Sequence, residues 1–300
     1  MKSLLRNLMI GAALVIGGCV WFAAGASAAS PEGMRLYVFS SGWLGPINKS
    51  MLQSGGEGKI SVPVAFFLIK HPKGNVLFDT GNNDKIITDP TYWGPLAAMI
   101  SAATRNPDVA IDTQLGKIGV KPSDVNYVIL GHMHLDHVGN LGKFRTATVV
   151  YQRDEIVNAF WPKPGFSAGY IVSDFSQLRS AVGSPQPNTQ KVIELDGDLD
   201  LFGDGSIYIH RQVGHTPGSQ MAVIRLPKTG PIVLTSDTCY LMENLQKDIL
   251  PSVGLAYSPS GILDAYTWIK RLMATEGADV IFAHDPDTFN KHKHSPEFYE

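Results

Sequence analysis

The chain has 300 residues, 44% of them apolar and 17% charged, with 25 basic against 27 acidic side chains and a formal charge of −2. That length and apolar content can bury a substantial core, enough for one large domain or two small ones. The slightly acidic balance does not favour a surface built to bind nucleic acid.

Residues 1–28 read as a leader. Lys2 and Arg6 precede an apolar run over residues 8–24 that ends in Ala26-Ser27-Ala28. This charged, apolar, small-residue order is that of a secretory signal peptide cleaved after Ala28. Val15-Ile16-Gly17-Gly18-Cys19 also resembles a bacterial lipoprotein box with Cys19 as the lipidated residue, and a retained membrane anchor is the third reading. Cleavage makes the mature chain periplasmic or secreted, with no stable membrane insertion unless Cys19 is lipidated. The leader holds two bases and no acid, so its loss takes the formal charge to −4 and leaves Cys239 as the remaining cysteine. No intrachain disulfide can then form. Residues 29–300 contain no low-complexity linker or repeat and read as one domain.

Residues 34–39 predict a first strand and residues 40–46, SSGWLGP, a loop. Trp43, Met51 and Leu52 fall beside loops, where ordinary packing or an apolar pocket would use them. Residues 62–69 and 75–78 read as a hairpin across His71-Pro72-Lys73-Gly74, which makes His71 a turn residue. Residues 82–107 fit a lid over a site or a surface loop with one helical turn. Residues 115–120 suggest a short helix stopped at Lys121-Pro122.

An apolar strand over residues 125–130 then leads into GHMHLDHVGN, residues 131–140. Four potential metal donors, His132, His134, Asp136 and His137, fall within six residues. Positions i and i+2 of an extended chain share a face, so His132 and His134 can meet one metal if the strand geometry persists. Asp136 and His137 are neighbours, and Val138-Gly139-Asn140 supplies the turn chemistry that aims them at a second position.

Downstream, residues 148–152 predict a strand and residues 153–161 a helix ended by Pro162. Strands follow at 192–195, 207–212, 222–226, 232–234 and 280–283, with helical spacing over 261–275. His215 stands in the loop Gly214-His215-Thr216-Pro217-Gly218, Asp237 just past one strand, and His284-Asp285 directly after the last. The recurring order of strand, donor and loop is that of a sheet sandwich with its chemistry at one end.

His132-x-His134-x-Asp136-His137, followed by His215, Asp237 and His284, resembles the ligand signature of the metallo-β-lactamase superfamily over about residues 34–286. The resemblance implies an α/β fold, a four-layer αββα sandwich, with a two-metal site at one edge. His132, His134 and His215 would hold one metal, Asp136, His137 and His284 the other, and Asp237 would bridge them. Within the superfamily, Phe78-Asp79-Thr80-Gly81, Tyr151-Gln152-Arg153-x-Glu155, Asp237-Thr238-Cys239-Tyr240 and Phe282-x-His284-Asp285 resemble N-acyl homoserine lactonases. The leader, and the loops over 43–51 and 82–107 where acyl preference would be set, depart from that pattern.

The implied reaction opens the ring of an acylated homoserine lactone, or a related small lactone, with a hydroxide held by two metals. Tyr240 would meet the substrate carbonyl, and Asp136 would pass the proton to the leaving alkoxide. Adjacency suggests Asp79 and Asp285 as acceptors for ligand imidazoles. The nitrogen and oxygen donors, without thiolate, suit two divalent ions, zinc first, with cobalt, manganese and iron compatible. The expected partner is a small-molecule lactone and not nucleic acid, and a homodimer is compatible. The competing readings are another ester or thioester hydrolase, glyoxalase II-like or β-lactamase-like, and a non-catalytic periplasmic zinc-binding protein.

Overall fold

Strand alternation decides the layers. Val128 and Val149 bury in one apolar cluster while their neighbours Ile129 and Val150 bury in another, so each central strand faces two cores. The computed structural model describes residues 30–179 and 190–300. The leader, its cleavage after Ala28 and Cys19 lie outside the described residues.

The first sheet runs in the order β1 (Arg35–Asn48), β2 (Lys59–His71), β3 (Gly74–Phe78), β4 (Val125–Ile129), β5 (Thr148–Gln152) and β6 (Val192–Leu195). The second contains β7 (Leu199–Asp200), β8 (Ile207–Arg211), β9 (Gln220–Leu226), β10 (Gly230–Leu234) and β11 (Asp279–Ile281), in the order β11-β10-β9-β8-β7. Phe67, Phe78, Ile224 and Ile232 are among the side chains packed between the sheets. The outer face of the first sheet is covered by helical segments that include Ile111, Leu115 and Ile156. The long helix Pro259–Glu276 covers the second, placing Ile262, Ala265, Tyr266 and Ile269 on Val223 and Val233. This is the four-layer αββα order.

That helix has local causes. The Ser258 side chain caps it by accepting the Gly261 N–H, Pro259 needs no partner at the first position, and Gly277 ends it at φ 65°. Its buried stripe repeats at three and four residues, and each large apolar side chain removed from water contributes about 1.5–3 kcal/mol.

The sheets also set where the chemistry falls. β3, β4 and β5 are parallel; β8 and β10 are both antiparallel to β9, and β11 is parallel to β10. The segments after β3, β4, β8, β10 and β11 carry Asp79, residues 131–137, His215, Asp237 and His284 to one edge. Among the described residues, no helix is long and apolar enough to cross a membrane.

Three local expectations need correction. The loop expected at 40–46 is part of β1, whose pairing with β2 shifts register between Ser40 and Trp43 and between Leu44 and Ile47. Those bulges absorb the turn-forming residues; a Cβ on Gly42 would lie 2.6 Å from the Thr104 Oγ1, so the close approach there requires glycine. The helix expected at 115–120 is Ile111–Gly116 instead, with Ile111 and Leu115 one turn apart in the core and Gly119 in the left-handed region at φ 70° just beyond. His71, expected in the turn, instead ends β2, buried, with its ring stacked on Phe202 at 4.2 Å between centroids.

Candidate metal centre

The segment after β4 leaves the sheet so that Leu130 and Met133 stay in the core while the histidines turn to the edge. The His137 and Val138 N–H groups both donate to the His134 carbonyl, a tight turn that brings His137 back beside His132. Gly131 makes room for this: a Cβ there would stand 2.3 Å from the Ser236 Oγ.

Three imidazole nitrogens converge on one point. The His134 Nδ1 lies 3.1 Å from the His132 Nε2 and 2.9 Å from the His215 Nε2. Beside them, the Nε2 atoms of His137 and His284 stand 3.3 Å apart, with Asp136 Oδ1 3.8 Å from the first and Oδ2 3.5 Å from the second. Asp237 faces both halves: its Oδ1 is 3.0 Å from the His137 and His284 Nε2 atoms, and its Oδ2 is 3.6 Å from the His215 Nε2 and 3.9 Å from the His132 Nε2.

Neighbouring groups settle which nitrogen faces the centre. The His215 Nδ1 donates to the Leu255 carbonyl at 2.8 Å and the His284 Nδ1 to the Pro63 carbonyl at 2.7 Å. The His137 Nδ1 is 2.8 Å from Asp79 Oδ2, and the His132 Nδ1 is 3.3 Å from the Ser236 hydroxyl. These bonds turn Nε2 lone pairs inward. Asp79 and Ser236 both hold positive φ, 59° and 47°, and the Ser236 hydroxyl donates to Asp79 Oδ2. Two strained residues thus brace each other beneath the cluster.

The electrostatics divide the cluster. Burial holds His132 and His134 well below the ordinary imidazole range and lowers His215 as well, so these three are neutral donors. Burial also pulls on His137 and His284, but the Asp237 and Asp136 carboxylates outweigh it and raise both. Asp237 feels the same balance inverted: burial raises it, and the His137 and His284 imidazoles pull it well below the carboxylate range.

This donor set fits a pair of cations. Neutral nitrogens 2.9–3.1 Å apart with lone pairs facing each other repel unless positive charge lies between them. Their spacing approaches the edge of a tetrahedron with metal–nitrogen bonds of about 2.0–2.1 Å, which is roughly 3.3 Å. Asp237 Oδ1 is buried and receives no aligned hydrogen bond, as expected of an oxygen shaped for a metal. Groups His132–His134–His215, His132–His137–Asp237 and Asp136–His137–His284 each keep their donor atoms within 4.8 Å of one another.

A cavity of about 950 Å³, counting its open mouth, ends on this cluster. Met51, Leu52, Leu96, Met99 and Leu135 line it. Trp43 does not; it packs between the sheets, edge-on to Phe289. Segment 82–107, with its short helix Lys85–Thr88 and the 3-10 helices Gly94–Met99 and Ala102–Arg105, supplies part of the wall. Tyr240 is buried at the metal end with its hydroxyl 3.1 Å from the His215 Nδ1.

The metallo-β-lactamase superfamily model matches residues 61–284, a span that includes every donor above. The chain belongs to the metallo-β-lactamase superfamily. It is 34% identical over 270 residues to the N-acyl homoserine lactonase AttM of Azorhizobium caulinodans, covering 89% of this chain and 99% of that one. The AttM lactonase of Agrobacterium fabrum is 33% identical over 269 residues, with 89% and 98% covered. Among solved structures, an N-acyl homoserine lactone hydrolase with N-hexanoyl-L-homoserine at its catalytic metal centre superposes with a TM-score of 0.71 at 23% identity, over 88% of this chain and 98% of that one. The dizinc lactonase AidC gives 0.61 at 14% identity, over 85% and 88%. At these identities the structures speak to the fold.

Within this superfamily site, adjacency was a poor guide to the supporting shell. Asp79 does meet an imidazole, but Asp285 does not: its carboxylate accepts the Met242 N–H at 2.7 Å and caps the short helix Pro286–Phe289. The acceptors that orient His215 and His284 are backbone carbonyls, which carry no residue-type signal. Glu155 was also missed as a brace, although it lay in a segment resembling lactonases. It is fully buried and ties the His132–His134 segment to the His215 loop, accepting the Met133 N–H at 2.8 Å and the Thr216 hydroxyl at 2.5 Å. For Asp79→Asn, the expected outcome is a roughly 10- to 100-fold loss of metal affinity, since the amide cannot hold the His137 N–H as a carboxylate does. Competitive chelator titration measures it, and unchanged affinity would reduce Asp79 to a loop-capping residue.

Proposed function

We propose that this protein is a lactonase that opens the ring of N-acyl homoserine lactones, using two divalent cations, zinc by preference, held by His132, His134, His215, Asp136, His137, His284 and Asp237. The observation that carries the reading is the junction of this donor set with a deep apolar cavity. One end suits an ester carbonyl and the other an acyl chain. The curated relatives over nearly the whole chain are N-acyl homoserine lactonases, which supports the same substrate.

Bound cations supply the nucleophile, by acidifying water, and polarise the carbonyl. The protein's own groups do the rest. Tyr240, with its hydroxyl at the metal end of the cavity, donates a hydrogen bond to the carbonyl oxygen as negative charge gathers there. Asp136, also on the cavity wall, takes the proton that the attacking water gives up and hands it to the ring oxygen as the ring C–O bond breaks. The water oxygen ends in the new carboxyl group, which ionises and releases one proton per turnover. The apolar walls exclude water from the acyl chain and seat it. Residues 29–300 act as one hydrolase domain, and the leader-like residues 1–28 support a periplasmic or secreted enzyme that meets lactones outside the cytoplasm.

Proton release from short- and long-chain acyl homoserine lactones by the zinc-loaded mature chain tests this. Turnover on either is expected, and Tyr240→Phe should lose about 10²–10³ in kcat at unchanged metal content. Absence of turnover with two metals bound would transfer the site to another ester or thioester. Full activity in Tyr240→Phe would take that hydroxyl out of the mechanism.

A further inference from the structure

Among the polar side chains that line the cavity outside the donor set, most are already committed. The Thr216 hydroxyl donates to Glu155, and the Tyr257 hydroxyl accepts from the Lys163 Nζ at 2.5 Å. The Tyr170 hydroxyl donates to Glu155 Oε1 at 3.2 Å, and the Asn158 Nδ2 donates to that hydroxyl at 2.9 Å. Asn158 is 94% buried, its exposure being 6%, and it lines the cavity. Its Oδ1 meets no donor among the described residues.

Amide orientation follows from the hydrogen-bond chain. Glu155 receives the Met133 N–H, the Gly218 N–H and the Thr216 and Tyr170 hydroxyls, so its carboxylate is an acceptor toward all of them. Tyr170 therefore spends its only proton on Glu155 and presents a lone pair to Asn158. That forces Asn158 to point its NH₂ at Tyr170, leaving the carbonyl oxygen for the cavity. The placement is close to the chemistry, because the Tyr170 ring packs on His134 at 4.5 Å between centroids.

We propose that Asn158 is a specificity-determining residue whose Oδ1 accepts an N–H on the carbon next to the lactone carbonyl. The enzyme thereby selects lactones bearing an acylamino group over those that lack the donor. The inference rests on the lactonase reading and deepens it. In an N-acyl homoserine lactone the amide nitrogen is bonded to the carbon beside the carbonyl, so an acceptor that reads it must stand near the donor cluster and not at the acyl end. A buried acceptor that loses water without gaining a donor penalises the wrong ligand more than a matched bond rewards the right one.

The test compares N-hexanoyl homoserine lactone with its ester isostere, α-hexanoyloxy-γ-butyrolactone, in which oxygen replaces the N–H. Ring opening is followed chromatographically for the zinc-loaded wild type and Asn158→Ala. The position lies in the helix Arg153–Phe160, where alanine is the most favourable residue. The wild-type ratio of kcat/KM, amide over ester, is expected to exceed that of Asn158→Ala by about tenfold, with the difference carried by KM. An equal ratio in the two proteins would overturn the proposal, even if both rates fall together, since that would mean Asn158 only steadies Tyr170. Wild type that opens neither lactone would defeat the lactonase reading and this inference with it, whereas wild type that opens both while the ratios agree defeats the inference alone.

Discussion

Asp237→Ala is expected to lower lactone turnover by about 10³-fold or more, the equivalent of the several kcal/mol that a correctly held metal contributes to a transition state. Asp237 is the residue whose two carboxylate oxygens face different halves of the cluster, one 3.0 Å from His137 and His284, the other 3.6 Å from His215. Without it Asp136 remains the acid that faces both histidines of the second half, with Asp79 behind His137. Metal content should fall from near two per chain toward one, because the first half retains three neutral imidazoles. The fold should survive. The turn is held by its own backbone and by the Thr235 hydroxyl, which donates to the Ser236 and Cys239 carbonyls at 3.0 Å. Circular dichroism with elemental analysis checks both statements. A variant that keeps two metals and wild-type turnover would remove the bridging role.

Stripping the metal is the second large effect. With chelator, turnover is expected to reach background and the melting temperature to fall on the order of 10 °C, since ligand bound at about 1,000 times its Kd stabilises by about 4 kcal/mol and a chain of this size shifts a few degrees per kcal/mol. The physical cause lies in the donor spacing. A fold that holds lone pairs 2.9–3.1 Å apart and buries Asp237 Oδ1 without an aligned hydrogen bond stores repulsion that a cation relieves. Adding zinc, cobalt or manganese should restore both properties. A chelated chain that retained activity and melting temperature would show that the cluster is structural and carries no metal in catalysis.

Much of the site was legible because its first part is local. His132, His134, Asp136 and His137 lie within six residues, and an extended chain followed by a turn is enough to converge them. His215, Asp237 and His284 entered through the resemblance and through their place after apolar strands. Nothing local about a single histidine or aspartate marks it as a partner of another a hundred residues away. The fold class came from the same resemblance, and the two apolar clusters on either face of the central strands agree with it.

Other features escaped for identifiable reasons. The glycines and proline of residues 40–46 have turn chemistry, yet β2 offered an edge long enough to pair them with bulges, so tertiary pairing overrode local preference. Asp285 adjoins His284 but alternates away from it and finds the Met242 N–H and the start of a short helix instead.

By itself, then, the sequence determined the apolar strands and the compact donor motif, because periodicity and short spacing are properties of neighbouring residues, and the layered α/β architecture followed from the family resemblance those residues carry. The tertiary structure alone decided which nitrogen each histidine presents, that Met51 and Leu52 line the cavity while Trp43 does not, and that Asn158 lines it too with its amide nitrogen on the Tyr170 hydroxyl. Each of those depends on contacts such as His284 with the Pro63 carbonyl, 221 residues apart, and a chain can arrange such contacts only after both sheets have packed.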